Sequence, residues 1–170
     1  ESVNPQVTFT GTVTGQDKNS TQTIGATATA TLDIKTPMKL TVTDITVTPN
    51  QISEGQEVIV GMTIKNIGDV NAIDVTPKLN FEPETSKLIP SSNPSKQDIP
   101  VKTSNNFRWI YKTQAGSNGI YTFTGSASGT DQLSGKIIDS DESKAKLTLQ
   151  TPTKLTIKSV AVNPSPSISE

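Results

Sequence analysis

Apolar and polar residues alternate with a period of two along most of this chain. Val7, Phe9, Gly11 and Val13 alternate with Thr8, Thr10, Thr12 and Thr14, and Ile24, Ala26, Ala28, Ala30, Leu32 and Ile34 alternate mostly with threonine. Successive side chains of an extended backbone point to opposite faces, so each run predicts a strand with one buried and one solvated face. Further runs are Val58, Val60, Met62, Ile64; then Ile73, Val75, Pro77, Leu79, Phe81; Phe107, Trp109, Tyr111; Tyr121, Phe123, Gly125, Ala127; and Ala145, Leu147, Leu149. No segment has helical periodicity. Leu40 and Val42 share one parity while Ile45 and Val47 share the other. Such a phase change is produced by a bulge, or by a strand passing from one sheet to another. A Pro- and Ser-rich stretch over 82–106 reads as a loop.

The pattern repeats. Thr36-Pro37-Met38-Lys39-Leu40-Thr41 recurs as Thr151-Pro152-Thr153-Lys154-Leu155-Thr156, and 7 of 14 positions agree between 36–49 and 151–164. Upstream, Phe9-Thr10-Gly11 through Asp17 mirrors Phe123-Thr124-Gly125 through Asp131. The two matches bracket one unit over 36–150. Residues 1–35 then read as the C-terminal strands of a preceding repeat, and 151–170 as the N-terminal strand of a following one. Six or seven strands per unit, separated by Gly- and Asn-containing turns, predict an all-β chain of tandem immunoglobulin-like Greek-key β-sandwich repeats. The sequence thus reads as a window on a longer polypeptide.

Composition narrows the function classes. Hydrophobic residues make up 31% and net charge is −1, so low hydrophobicity is not accompanied by the high net charge of disordered chains. Twenty-six Thr and 18 Ser suit solvated strand faces. No basic excess points to nucleic acid, and no apolar run reaches the ~20 residues of a membrane helix. Neither Cys nor His occurs. Disulfides are therefore excluded, as are Ser–His and thiol nucleophile arrangements and the usual zinc ligand sets.

Within the unit, Val47-Thr48-Pro49, Ile52-Ser53-Glu54-Gly55-Gln56-Glu57-Val58 and Thr63-Ile64-Lys65-Asn66-Ile67-Gly68-Asp69-Val70-Asn71-Ala72 carry a pattern. A proline is followed by Gly-x-x-Val opening a strand and Ile-x-Asn-x-Gly closing it. About 35 residues thus resemble the CARDB class, the cell-adhesion-related domains of bacterial and archaeal surface proteins. The resemblance implies an immunoglobulin-like sandwich and no catalytic residues to carry over. Mechanically, Asn66 and Gly68 supply turn geometry and Ala72 restarts the next strand.

Four carboxylates, Asp131, Asp139, Asp141 and Glu142, are the candidate calcium ligands, because calcium takes several oxygens from such loops. No other cofactor is expected. Asn19 opens the sole N-glycosylation sequon, Asn19-Ser20-Thr21, in an expected turn. Phe107, Trp109 and Tyr111 share a face and read as core, the competing reading being a row that stacks on sugar rings.

Together these features lead to the expectation of a non-enzymatic structural or adhesive module of a microbial cell-surface protein or filament, extracellular. A carbohydrate-binding or spacer module of a secreted enzyme, or a surface-layer subunit, is the alternative. Expected partners are neighbouring repeats of the same protein, other copies in a filament, or host or surface glycans. Neither nucleic acid nor membrane insertion of this segment is expected.

Overall fold

The computed structural model describes residues 5–161. The strands are β1 (Gln6–Gln16), β2 (Thr23–Asp33), β3 (Leu40–Thr48), β4 (Gln51–Ser53), β5 (Glu57–Asn66), β6 (Ala72–Glu82), β7 (Leu88–Ser92), β8 (Gln97–Ile99), β9 (Ser104–Thr113), β10 (Gly119–Asp131), β11 (Ile137–Asp139) and β12 (Ser143–Gln150). The described residues are all-β, with no helix. One sheet has the order β3-β5-β9-β7. A second runs β4-β12-β10-β6-β8, with β11 also paired to β10. A third consists of β1 and β2 alone.

The first two sheets enclose one core, as expected of a β-sandwich, and one sheet curls into a half-barrel. Val58, Val60, Met62 and Ile64 of β5, Phe107, Trp109 and Tyr111 of β9, and Tyr121, Phe123 and Ala127 of β10 all point inward. Burying each large apolar side chain contributes about 1.5–3 kcal/mol, and this alternation selects which face turns in. Phe81 of β6 meets Tyr111 of β9 edge-on at 5.8 Å, joining the two sheets. Burial of the Tyr111 hydroxyl raises its pKa. Phe107, Trp109 and Tyr111 are therefore core, and they offer no face to a sugar ring.

β10 lies between β12 and β6 in its sheet, and two of its glycines make room for side chains of β3, β5 and β6. A Cβ at Gly125 would lie 2.6 Å from Met62 Sδ and 3.1 Å from Ile45 Cδ1. One at Gly129 would lie 2.9 Å from Val75 Cγ2 and 3.2 Å from Leu40 Cδ1. The phase switch in 40–47 is a register shift of the β3–β5 ladder between Val42 and Asp44.

Buried Asn66 organises the turn after β5. Its Nδ2 donates to the carbonyls of Val70 (2.8 Å) and Ile99 (3.2 Å), and its Oδ1 accepts the Gly68 N–H at 3.1 Å and the Lys39 N–H at 3.4 Å. Nearby, Lys102 pairs with Asp69 at 2.8 Å. Lys102 above all, then the Thr36 hydroxyl, holds the Asp69 carboxyl below its usual range. Among the described residues no buried side-chain nitrogen or oxygen lacks a hydrogen-bond partner.

Three expectations require correction. The stretch 82–106 is not a plain loop: it contains β7, β8 and the start of β9, anchored by Leu88 and Ile99, both buried. Ile73 does not share the inward parity of Val75, because Asp74 adopts φ 54° and shifts the register, putting Ala72 and Val75 inside. Finally, β1 and β2 have no buried face: every residue of both strands is exposed. Alternation marks which face is apolar, but only a packed neighbour buries it.

Beyond Ala72 and Val75, which pair with β8, the outer edge of β6 is open. Pro77 lies on this stretch opposite Ala127. The Ala127 N–H and C=O are both taken by Ser140 on the far side of β10. Pro77 and Ala127 are therefore a non-hydrogen-bonded pair, and the proline nitrogen faces the open edge.

Candidate functional site

Three of the four expected calcium ligands have partners elsewhere, and the fourth, Glu142, stands exposed. Buried Asp131 uses Oδ2 to accept the Met38 N–H at 2.8 Å. Its Oδ1 accepts the N–H groups of Leu133 (3.0 Å) and Ser134 (2.8 Å) and the Ser134 hydroxyl (3.0 Å). The Met38 N–H, with smaller help from Ser134 and Leu133, holds this carboxyl below its usual range. Asp141 accepts the Val42 N–H and the Thr41 hydroxyl, both at 2.9 Å. Asp139 pairs with Lys78 at 3.6 Å on the surface, and Glu142 is exposed. Among the described residues no three carboxylates group to hold a metal. The four carboxylates are thus not brought together: Asp131 and Asp141 instead hold the segment Met38–Val42, their oxygens accepting backbone N–H groups and the Thr41 and Ser134 hydroxyls.

Asn19 sits, exposed, in the turn joining β1 to β2. That turn is built on Asp17. Its Oδ1 accepts the N–H groups of Asn19 (2.7 Å) and Ser20 (3.0 Å), which hold its carboxyl below the usual range, Asn19 first. The Asp17 N–H donates to Gln22 O at 2.8 Å, the Thr21 N–H donates to Asp17 O at 3.0 Å, and Thr21 has φ 57°. Asp131 builds the same turn. The Asp131 N–H donates to Lys136 O at 2.8 Å, the Gly135 N–H donates to Asp131 O at 2.8 Å, and Gly135 has φ 69°.

The strands flanking the two turns also match in register. Phe9 pairs with Ala30 as Phe123 pairs with Ala145, and Val7 pairs with Leu32 as Tyr121 pairs with Leu147. At the turn end, Gly15 pairs with Ile24 as Gly129 pairs with Ile138. One residue is inserted near Ser140 and has no counterpart in β2. Apart from that insertion, the β1–β2 hairpin repeats the register of β10 with β11 and β12.

The surroundings differ. Tyr121, Phe123 and Leu147 are buried, whereas Phe9 is 58%, Val13 66%, Ile24 59% and Leu32 53% exposed. These side chains share one face of the hairpin and leave it apolar and exposed. Unlike Asp131 Oδ2, which accepts the Met38 N–H, Asp17 Oδ2 takes no partner among the described residues. Sequence reasoning did not select Asp17, although the pairing of Phe9–Asp17 with Phe123–Asp131 carried the signal.

A second feature is an open cleft of about 480 Å³ lined by Leu79, Asn80, Phe81, Glu84, Thr85 and Ser86. Glu84 is the only titratable group in this lining.

A solved structure described by the words "AvmM Catalyzes Macrocyclization in Alchivemycin A Biosynthesis" is similar in shape. The match covers 86% of this chain and 100% of that chain, at 12% identity and a TM-score of 0.49. No family model and no curated protein matches this chain. A likeness of this strength is one of shape and decides nothing about activity. The expectations of a structural, adhesive, carbohydrate-binding, spacer or surface-layer module, and of no enzyme, find no support in the comparisons. Both are withdrawn. Lack of His and Cys removes particular nucleophile and base pairs, but Asp, Glu, Lys and Tyr also act as general acids and bases. Macrocyclization is the activity of AvmM, and the likeness assigns no activity to this chain.

Proposed function

We propose that this chain recognises other copies of its own β-unit, with the apolar face of the β1–β2 hairpin as the working surface. In this reading residues 6–33 and 36–150 belong to successive immunoglobulin-like units of one kind, in keeping with the CARDB-like pattern around Asn66 and Gly68. The observation that carries it is the shared register: the hairpin has the pairing of β10 with β11 and β12, whose inner face packs against a sheet. A two-stranded hairpin with a bare apolar face is marginal in water, and contiguous exposed apolar surface marks interaction sites.

Amide hydrogen exchange on the full chain tests this reading. A bare hairpin opens easily and exchanges fast, whereas a covered one is protected. Protection across 6–33 is expected to rise as the chain is concentrated from micromolar to near-millimolar. Exchange there that is independent of concentration overturns the reading.

A further inference from the structure

Inside the unit, residues 36–46 lie across the inner face of β10. Leu40 Cδ1 lies 3.2 Å from where a Cβ at Gly129 would be and Ile45 Cδ1 3.1 Å from one at Gly125, while the Met38 N–H reaches Asp131. Residues 151–161 repeat this segment: Thr153 stands for Met38, Leu155 for Leu40, Ile157 for Val42 and Val160 for Ile45. Leu40 and Val42 are buried, but Leu155 is 93%, Ile157 85% and Val160 84% exposed. The hairpin offers the matching half. Gly15 and Gly11 stand for Gly129 and Gly125. A Cβ at Gly15 would meet no atom within 4 Å, and one at Gly11 would meet only the Ala28 carbonyl, at 4.0 Å.

The chain thus exposes two apolar elements whose counterparts pack on each other within the unit. We propose that residues 151–161 of a second copy lie across the Phe9–Gly11–Val13–Gly15 face. Leu155 covers Gly15, Val160 covers Gly11, and the Thr153 N–H is donated to the free oxygen of Asp17. This rests on the self-recognition reading and names the segment that performs it. The contact joins two different surfaces, so it is head-to-tail rather than two-fold symmetric.

Cysteine cross-linking of the full chain tests the register, since the native sequence has no cysteine to interfere. A Gly15→Cys chain mixed with a Leu155→Cys chain is expected to give a covalent heterodimer under mild oxidation. Gly15→Cys mixed with Lys158→Cys, at a position of opposite parity, is expected to give little. Equal cross-linking of both pairs, or of neither, overturns the proposal. A second variant, Leu155→Asp/Ile157→Asp, alters only exposed positions and so leaves the sandwich folded. It is expected to raise the concentration needed to protect β1–β2 by about tenfold or more, the equivalent of a lost apolar contact. If protection is unchanged in this variant, the partner surface lies elsewhere and the proposal falls while self-recognition stands. If the unaltered chain shows no concentration-dependent protection, both fall.

Discussion

Asn66 Oδ1 accepts the Gly68 N–H at 3.1 Å inside a turn with no room for another side chain. A Cβ at Gly68 would lie 2.6 Å from Met38 Cα and 2.7 Å from Lys39 N, which are backbone atoms that cannot swing away. The Asn-x-Gly spacing is thus a packing requirement as well as a turn signal.

Gly68→Ala is therefore expected to destabilise the unit by about 3 kcal/mol. Asn66→Ala strips partners from two carbonyls and two N–H groups and is expected to cost about as much. Urea denaturation followed by Trp109 fluorescence measures both. A cost below about 1 kcal/mol for either contradicts the assigned role of this turn.

The Asp131 carboxyl titrates below its ordinary value of ~3.9 because the Met38 and Ser134 N–H groups stabilise its charge. A group whose pKa is depressed on folding contributes stability that is complete above the unfolded value and is lost as pH falls through the folded one. The melting temperature should therefore fall below about pH 4, and less steeply in Asp131→Asn. That variant should also melt lower at neutral pH, because its amide brings a second donor to the Met38 N–H. A pH profile parallel to that of the native chain would show that Asp131 is not the titrating clamp.

Equivalent glycines should respond in opposite ways. Gly125→Val forces Met62 and Ile45 apart and is expected to cost about 1–3 kcal/mol. Gly11→Ala meets open space and should change monomer stability by no more than about 0.5 kcal/mol. Thermal melts of dilute chain compare them directly.

Phe123 is fully buried and packs against Phe81 and Tyr111 at 5.6 Å. Phe123→Ala is expected to cost about 3–5 kcal/mol. Trp109, 5% exposed, should emit at short wavelength and resist acrylamide quenching until the unit unfolds. Water-like emission from the folded chain would contradict the placement of β9 in the core.

Added calcium is expected to leave the melting temperature where it was, since Asp131 and Asp141 already hold backbone N–H groups. A clear rise would indicate that these carboxylates can be recruited to a metal.

The alternation of Val58–Ile64, Phe107–Tyr111 and Tyr121–Ala127 made the long central strands legible, because each carries its own binary pattern. So was the shift between Val42 and Asp44, where apolar parity changes within five residues. β7 and β8 were not: Leu88 and Ile99 are the single buried residues of short strands beside prolines, and their partners lie on β9 and β6. Asp74 hid the local register, since an aspartate that tolerates positive φ leaves no mark in a hydropathy pattern. For the site, Asp131, Asp139 and Asp141 looked like a cluster because they are close in sequence. The true partners of Asp131 and Asp141, Met38 and Val42, lie 93 and 99 residues upstream, and no spacing rule connects them. The bare face of the hairpin was equally hidden, because burial belongs to the neighbour and not to the strand.

The proline on the free side of β6 has a bearing on solubility. A strand arriving at that rim could accept no hydrogen bond from Pro77, where every other residue type would present an N–H. Lys78 and Glu82 are also exposed along the same strand. Growth of the sheet by uncontrolled stacking of strands is thereby discouraged at one rim, which leaves side-by-side aggregation a poor competitor to any ordered contact the chain makes elsewhere.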